Sequence, residues 1–180
     1  MLLVTVPATE LYDEVTEQFI NTKEQTLQLE HSLVSISKWE ATWRKPFLSK
    51  GDKTDEELMD YVKCMTITQN VSPETYLCLS ESNYDRIKAY IEAPMTATTF
   101  SKEENNKTNR EKITSEIIYY WMIALNIPMK CEKWHLNRLL TLIRVCSIKN
   151  APKKKRSGAE LSRRHAAINA ANRKRLNTKG

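Results

Sequence analysis

The sequence predicts a mainly α-helical, bundle-like domain with a small N-terminal β-hairpin or meander and a basic C-terminal arm. Along most of the chain after Ser32, apolar residues recur at intervals of three and four, which is the period of a helix face. The first thirty residues instead alternate between apolar and polar, as half-buried strands do. The 180 residues include only 3 glycines, which disfavours a β-sandwich or barrel, because such folds use glycine in their turns.

We predict three parts along the chain. Residues 1–31 form a β element packed on the helical body, residues 32–151 form the α-helical domain, and residues 152–180 form a flexible or helical arm. Within the β element, strand character is found in three segments, at 2–7, 19–20 and 26–30. Because a two-stranded hairpin is marginally stable alone, we expect these strands to pack against the helices.

Capping residues and prolines predict where the helices start and end. The first helix follows Ser32, whose hydroxyl can cap it, and ends before Pro46. Its apolar stripe consists of Leu33, Ile36, Trp39, Trp43 and Phe47. Four further starts are predicted, at Thr54 with Glu57, at Ser72 before Pro73, at Ser80, and at Thr108 with Glu111.

The helix after Thr108 is apolar nearly all round. One stripe consists of Ile113, Ile117, Trp121 and Leu125, and further apolar residues occupy the other faces. Such a helix is either buried or lies in an interface. The polar connection before it, 95–109, is expected to be a mobile loop, and the last helix of the body is predicted at 133–148.

The net charge of +6 is unevenly distributed. Residues 152–180 carry ten Lys and Arg against one acid, whereas residues 1–151 carry 18 bases and 21 acids. A basic arm on a mildly acidic body indicates two partners or two roles. The arm could bind nucleic acid, dock on an acidic protein or stay solvated, and it lacks an aromatic residue for base stacking. Its candidate binding residues are Lys153, Lys154, Lys155, Arg156, Arg163, Arg164, Arg173, Lys174 and Arg175.

No constellation of residues indicates catalysis, a cofactor or a metal. Cys131 and His135 would share a face on a helix, but a zinc site needs three or four converging ligands. The four cysteines include no C-x-x-C pair, so we expect buried, reduced thiols. With 3 histidines and no G-x-S-x-G motif, no nucleophile with an activating base stands out. We therefore predict a protein that is not an enzyme and has no cofactor.

Two observations bear on membranes and secretion. The chain has no apolar run of about 20 residues, the length that a membrane span needs. The N-terminal MLLVTVPATE has no basic n-region and does not resemble a signal peptide. We therefore expect a cytosolic protein that does not enter a membrane.

The tryptophans are the main candidates for a partner-binding surface. Core packing is their commonest role, and a stacking platform for nucleic acid is the alternative. If some apolar surface stays exposed, either the first helical stripe or the 113–125 helix could offer a groove to an amphipathic helix, with the 95–109 loop as its gate. The candidate residues are Trp39, Trp43, Phe47 and Trp121.

Longer stretches of the sequence carry a family resemblance. They are LEHSLVS (29–35), KWE (38–40), Trp43, KPF (45–47), DY (60–61), CMT (64–66), IIYYWMIALNIP (117–128), WHLNRLLTLI (134–143) and LNTKG (176–180). With these stretches the chain resembles the tail assembly chaperones of long-tailed (siphovirus-type) bacteriophages over nearly its whole length.

The resemblance implies a non-enzymatic protein of the host bacterial cytoplasm. Such a chaperone binds the tape-measure protein, keeps that long helical protein soluble while the tail tube assembles, and helps to recruit tube subunits. It could also self-associate. Two alternatives stay open: a virion structural protein, head–tail or tail, whose basic arm grips DNA or a neighbouring subunit, and a small nucleic-acid-binding regulator.

Overall fold

The computed structural model describes residues 1–13, 17–49, 51, 53–100, 112–151 and 158–177. The chain divides into two compact units, residues 1–148 and residues 149–180. Within the described residues, the first unit holds four β-strands and six α-helices, the last of which runs on to Asn150. The second unit holds one further α-helix.

The N-terminal strands overturn the predicted fold class. β1 (Leu2–Val6) pairs with β4 (Gln25–Leu29), and β2 (Thr9–Asp13) pairs with β3 (Gln18–Thr22), both antiparallel. The prediction of a bundle-like helical domain with one small hairpin or meander is therefore wrong. The described residues form seven α-helices, one short 3₁₀ helix and two small two-stranded sheets.

The two sheets are consecutive parts of one long hairpin. Leu2 faces Leu29 in the first and Thr9 faces Thr22 in the second, which is the same register. Pairing stops at Pro7, which has no N–H to donate, and resumes at Thr9. β2 has no clear apolar alternation, so sequence reasoning missed it.

The burial pattern of the hairpin also changes at this interruption. In β1 the even-numbered Val4 and Val6 are buried, whereas in β2 the even-numbered Tyr12 is exposed. The rings of Tyr12 and its partner Phe19 lie tilted against each other with centroids 5.1 Å apart, and both side chains are more than half exposed. The β1–β4 sheet therefore covers the core, and the β2–β3 sheet presents an aromatic pair to solvent.

The predicted caps of the first two helices are confirmed. α1 (Leu33–Trp43) starts after Ser32, whose hydroxyl accepts a hydrogen bond from the third helical N–H. α2 (Asp55–Met65) starts after Thr54, which forms a capping box with Glu57. α1 ends at Trp43, earlier than Pro46 required, because Arg44 takes the left-handed conformation.

α3 (Pro73–Leu77) starts after Ser72 with Pro73 as its first residue, but the Ser72 side chain makes no capping hydrogen bond. α4 (Glu81–Glu92) starts after the predicted cap Ser80, whose hydroxyl accepts the Asn83 N–H. α4 contacts β1. The Arg86 guanidinium donates to the Leu3 carbonyl at 3.0 Å, so that a carbonyl of β1 is bonded to a helix side chain. Bonds of this kind cover a strand edge that would otherwise pair with another chain.

The last helices of the body start later than predicted. α5 (Ser115–Ala124) is followed by a 3₁₀ helix (Met129–Lys133) and by α6 (Leu136–Asn150). The Leu136 N–H donates to the His31 carbonyl at 2.7 Å instead of continuing the 3₁₀ helix into α6. The predicted capping box at Thr108, like 101–109 of the predicted loop, lies outside the described residues.

The strands and helices of the first unit share one hydrophobic core. Its fully buried side chains include Val4, Leu27, Leu29, Leu33, Ile36, Trp39, Tyr61, Met65, Ile118, Met122, Leu136 and Leu139. In the second unit, α7 (Gly158–Leu176) has no buried residue among its described side chains.

Candidate partner-binding surfaces

A depression of about 530 Å³ lies between α5 and α6. Its size is within the range of small-molecule and peptide pockets. Its lining is mostly apolar and includes Trp121, Ala124, Leu125, Leu140, Ile143 and Ile148. Ile148 is 55% exposed, so part of this apolar lining is open to solvent.

α5 has a second exposed apolar surface on its outer side. Tyr120 and Ile123 are each 66% exposed, whereas Ile118 and Met122 of the same helix are fully buried. α5 is apolar nearly all round, but the rest of the first unit covers only one of its sides. We call the depression together with Tyr120 and Ile123 the α5–α6 face. Its exposed apolar side chains are the type of surface that binds another protein.

One charged side chain lines the depression among the described residues, that of Arg144. Its guanidinium lies over the Phe100 ring, 4.1 Å from the centroid. Such stacking holds the cation in place while leaving its N–H groups able to donate to a carboxylate. The depression therefore combines apolar walls with one positive charge.

The structure brings Trp39, Trp43 and Phe47 together beside α2. The two indoles stack with centroids 6.2 Å apart, and Phe47 meets Trp39 edge-on at 5.1 Å. The indole N–H of Trp39 donates to the Glu57 carbonyl, and that of Trp43 donates to the Asp60 carboxylate, both at 2.9 Å.

Burial separates these aromatic residues from the fourth candidate, Trp121. Trp39 is 1% exposed and Phe47 is 8% exposed, and only Trp43 in this cluster is half-buried. Side chains so enclosed and hydrogen-bonded stabilise the core and offer little area to a partner. Trp121, which is half-buried, lies in the wall of the α5–α6 depression.

Two buried histidines, His31 and His135, lie in contact in the interior, and a catalytic role for such a pair has to be considered. The rings of His31 and His135 have centroids 5.0 Å apart, and Nδ1 of His31 shares a hydrogen bond with the Tyr61 hydroxyl. Burial, with a smaller contribution from His135, lowers the pKa of His31 to about 3. Burial raises the pKa of Tyr61 well above its ordinary value, so its hydroxyl stays protonated.

His135 is also buried, and its ring nitrogens are both hydrogen-bonded. Nε2–H donates to the Tyr90 carbonyl at 2.9 Å, and Nδ1 accepts from the Asn137 N–H at 3.3 Å. Burial lowers its pKa, so the ring is neutral. With both nitrogens occupied and both rings nearly inaccessible, the pair has the properties of a structural polar cluster.

A second depression, of about 340 Å³, has Cys64 in its lining beside Lys38 and Lys133. Burial raises the pKa of the Cys64 thiol to about 11, with Asp60 adding to the effect. A nucleophilic cysteine needs a lowered pKa, because the thiolate is the reactive form. The arrangement therefore does not activate this thiol.

A third depression, of about 380 Å³, lies between α2 and α4. Leu58, Ile87 and Ile91 form apolar walls, and Lys53 and Lys88 also line it. The Lys53 ammonium lies 4.5 Å from the Phe47 ring centroid, a cation–π contact. It is smaller than the α5–α6 depression.

The described residues contain no group of three or more His, Cys, Asp or Glu side chains that could hold a metal ion. Cys131 and His135, the pair noted in the sequence, are both buried. Among the helices of the described ranges, none is long and apolar enough to cross a membrane.

The candidate residues of the basic arm are only partly described. Residues 153–156 and the side chain of Arg164 lie outside the described part of the chain. Arg163, Arg173, Lys174 and Arg175 lie on α7, and their side chains are exposed.

Sequence reasoning missed the contribution of α6 to the candidate site. Leu140 and Ile143 line the depression, although Ile143 is also buried in the core. Ile148 could have indicated this surface, because it is an apolar residue that lies between the polar Ser147 and Lys149 near the end of a helix. The apolar character of α5 on every side pointed to the same surface.

No protein-family model matches this chain. No curated protein and no solved structure shows significant similarity to it. A functional proposal therefore rests on the surfaces described above and on the family resemblance of the sequence.

Proposed function

We propose that this protein is a tail assembly chaperone of a long-tailed bacteriophage, which binds an amphipathic helix of the tape-measure protein and keeps that protein soluble. The α5–α6 face carries the proposal, because it exposes apolar side chains around a depression of about 530 Å³. The resemblance to tail assembly chaperones supplies the identity of the occupant.

The chemistry of the α5–α6 face suits such an occupant. An amphipathic helix docks by inserting apolar side chains at helical spacing into a hydrophobic groove. Arg144 supplies a positive charge at the same place, so we expect an acidic residue next to the apolar stripe of the bound helix.

The same lining argues for binding rather than catalysis. Arg144 is the titratable side chain among the described lining residues, and a guanidinium stays protonated, so it cannot serve as a general base. The buried histidines and the protonated Cys64 lie outside this lining. The face can therefore hold a partner without transforming it.

Co-expression with the tape-measure protein of the same phage tests the proposal. The informative variants are Ile148→Asp and Ala124→Arg, because both positions are exposed and both line the depression. Ile67→Asp is the matched control, since Ile67 is 53% exposed against 55% for Ile148 and lies in a different depression. The measurement is the soluble tape-measure protein that co-purifies with each variant.

We expect tape-measure protein to be insoluble alone and soluble with the wild-type chain or Ile67→Asp. The two α5–α6 variants should reduce co-purification at least tenfold while keeping wild-type circular dichroism. If wild-type chain neither binds nor solubilises tape-measure protein, the chaperone proposal is wrong. If it binds but all variants bind equally, the α5–α6 face is not the docking surface.

A further inference from the structure

α7 is a basic helix whose described side chains are all exposed. Its 19 residues span about 28 Å at the rise of an α-helix. Arg163, Arg173, Lys174 and Arg175 are exposed, and neither ion pair found among the described residues involves them. The arm has a single acid, Glu160, against ten bases.

The charges of α7 are distributed around the helix. Arg163 and Lys174 are eleven residues apart, which places them on the same side, about three turns from each other. Arg173 and Arg175 lie about 100° to either side of Lys174. A flat acidic surface could contact only one of these sides, whereas a concave anionic groove contacts several at once.

The apolar residues of α7 are too few for docking on a protein. Leu161, Ile168 and Leu176 follow one another at intervals of seven and eight. A helix face that binds a hydrophobic groove needs three to four apolar residues in every two turns. The chemistry of this helix therefore favours a polyanion over an apolar protein groove.

We propose that α7 binds the phosphodiester backbone of nucleic acid, a function additional to tape-measure binding. The major groove of a B-form DNA duplex admits an α-helix and places a phosphate strand on each side of it. Lys and Arg on several sides of one helix can then contact both strands. Each contact releases condensed counterions, so binding weakens steeply as the salt concentration rises.

Binding should also stabilise the helix itself. Five alanines give α7 a high helix propensity, but an isolated helix of this length is marginal in water. Repulsion among its cations opposes helix formation further, and phosphates remove that repulsion. We therefore expect the helical circular dichroism signal of the full chain to rise when nucleic acid is added.

Fluorescence anisotropy of the full-length protein with labelled duplexes tests the proposal. A DNA duplex and an RNA duplex of the same sequence are compared between about 50 and about 200 mM salt. The α7 variant combines Arg163→Gln, Arg173→Gln, Lys174→Gln and Arg175→Gln. The matched control removes the same four charges from exposed positions of the first unit, with Lys23→Gln, Lys88→Gln, Lys112→Gln and Lys130→Gln.

We expect the α7 variant to lose at least about a hundredfold in affinity at low salt, and its log–log salt slope to flatten by about three. The control variant should stay within a few-fold of wild type. A preference for the DNA duplex supports docking in the major groove, and comparable affinity for both duplexes indicates contacts with the phosphate backbone without groove insertion. No binding to either duplex, or equal losses in both variants, would overturn the proposal. The α7 variant should still co-purify with tape-measure protein, because the proposed chaperone function uses the α5–α6 face. The two proposals can therefore fail independently of each other.

Discussion

Glu40 of α1 caps the N-terminus of α5 from 75 residues away. Its Oε2 accepts the backbone N–H of Ser115 at 2.8 Å, and its Oε1 accepts the N–H of Phe47 at 2.8 Å. The adjoining Thr114, at the N-cap position, makes no side-chain capping bond. One buried carboxylate thus holds the loop after α1 and the start of the helix that carries Trp121, and its negative charge suits a helix N-terminus.

Removing this carboxylate should destabilise the protein strongly. Glu40→Ala leaves two backbone N–H groups without their acceptor, and we expect a loss of about 2–4 kcal/mol in the free energy of unfolding. Glu40→Gln retains one acceptor oxygen and should lose less. Urea denaturation measures both, with the exposed Glu92→Ala as control. A Glu40→Ala value equal to that of the control would contradict the capping role.

The stability of the first unit should fall as the pH drops below about 6.5. His31 has its pKa lowered from 6.5 to about 3, and that of His135 is lowered in the same direction. Below pH 6.5 these two histidines are therefore protonated in the unfolded chain and stay neutral in the folded chain until the pH reaches their lowered pKa values. Each histidine contributes a slope of up to about 1.4 kcal/mol per pH unit, beginning at the unfolded pKa and ending at the folded one.

Urea denaturation between pH 7 and pH 5 isolates the histidines, because most carboxylates titrate below this window. His31→Gln should remove about half of the pH dependence, whatever it does to stability at pH 7. His165→Gln, on the exposed α7 of the second unit, is the control substitution. An unchanged slope in His31→Gln would mean that this ring accepts a proton in the folded state.

Helix starts were predictable where the signal is local. The capping box at Thr54 and the caps at Ser32 and Ser80 depend on residues three positions apart, so the sequence displays them directly. The start of α5 was not predictable, because its acceptor, Glu40, is distant in the sequence and resembles any other acid on a helix. Without knowledge of the contact with Glu40, the sequence-based prediction placed the start of this helix near Thr108.

The second two-stranded sheet and the burial of the candidate binding residues were not predictable, for a related reason. Pro7 signals a break in pairing, but only the tertiary structure shows that the same hairpin continues beyond it. Trp39 and Trp121 have similar apolar surroundings in the sequence, yet one is 1% exposed and the other lines an open depression. Whether a neighbouring element covers an apolar face is a property of packing, and periodicity does not contain it.

The β2–β3 sheet should depend on Thr22. Its hydroxyl donates to the Thr9 carbonyl at 2.8 Å and accepts the Thr9 N–H at 3.1 Å, so one side chain ties the start of β2 to the end of β3. Thr22→Val removes both bonds at nearly constant volume. We expect amide exchange in β2 and β3 to accelerate about fivefold to tenfold, equivalent to about 1 kcal/mol.

Thr26→Val is the control for this effect, because the exposed Thr26 hydroxyl contacts only the hydroxyl of Thr5 among the described residues. Its substitution should leave exchange in β2 and β3 at the wild-type rate. Equal protection in the Thr22 and Thr26 variants would show that the backbone ladder alone holds the second sheet.

The aromatic residues of α1 should govern stability rather than tape-measure binding. Trp39→Phe removes the donor to the buried Glu57 carbonyl and part of a fully packed ring, so we expect a loss of about 2–3 kcal/mol. Trp43→Phe removes a half-exposed bond to Asp60 and should cost about 1 kcal/mol or less. Thermal unfolding measures both.

Co-purification with tape-measure protein, normalised to folded protein, should be unchanged in both α1 variants and reduced in Trp121→Ala. The reason is geometric: Trp121 lines the open α5–α6 depression, whereas Trp39 is enclosed in the core. Reduced binding by folded Trp43→Phe, with Trp121→Ala binding normally, would instead place the docking surface beside α1 and α2. Trp43 is the discriminating residue, because its partial exposure makes it the member of that cluster most able to meet a partner.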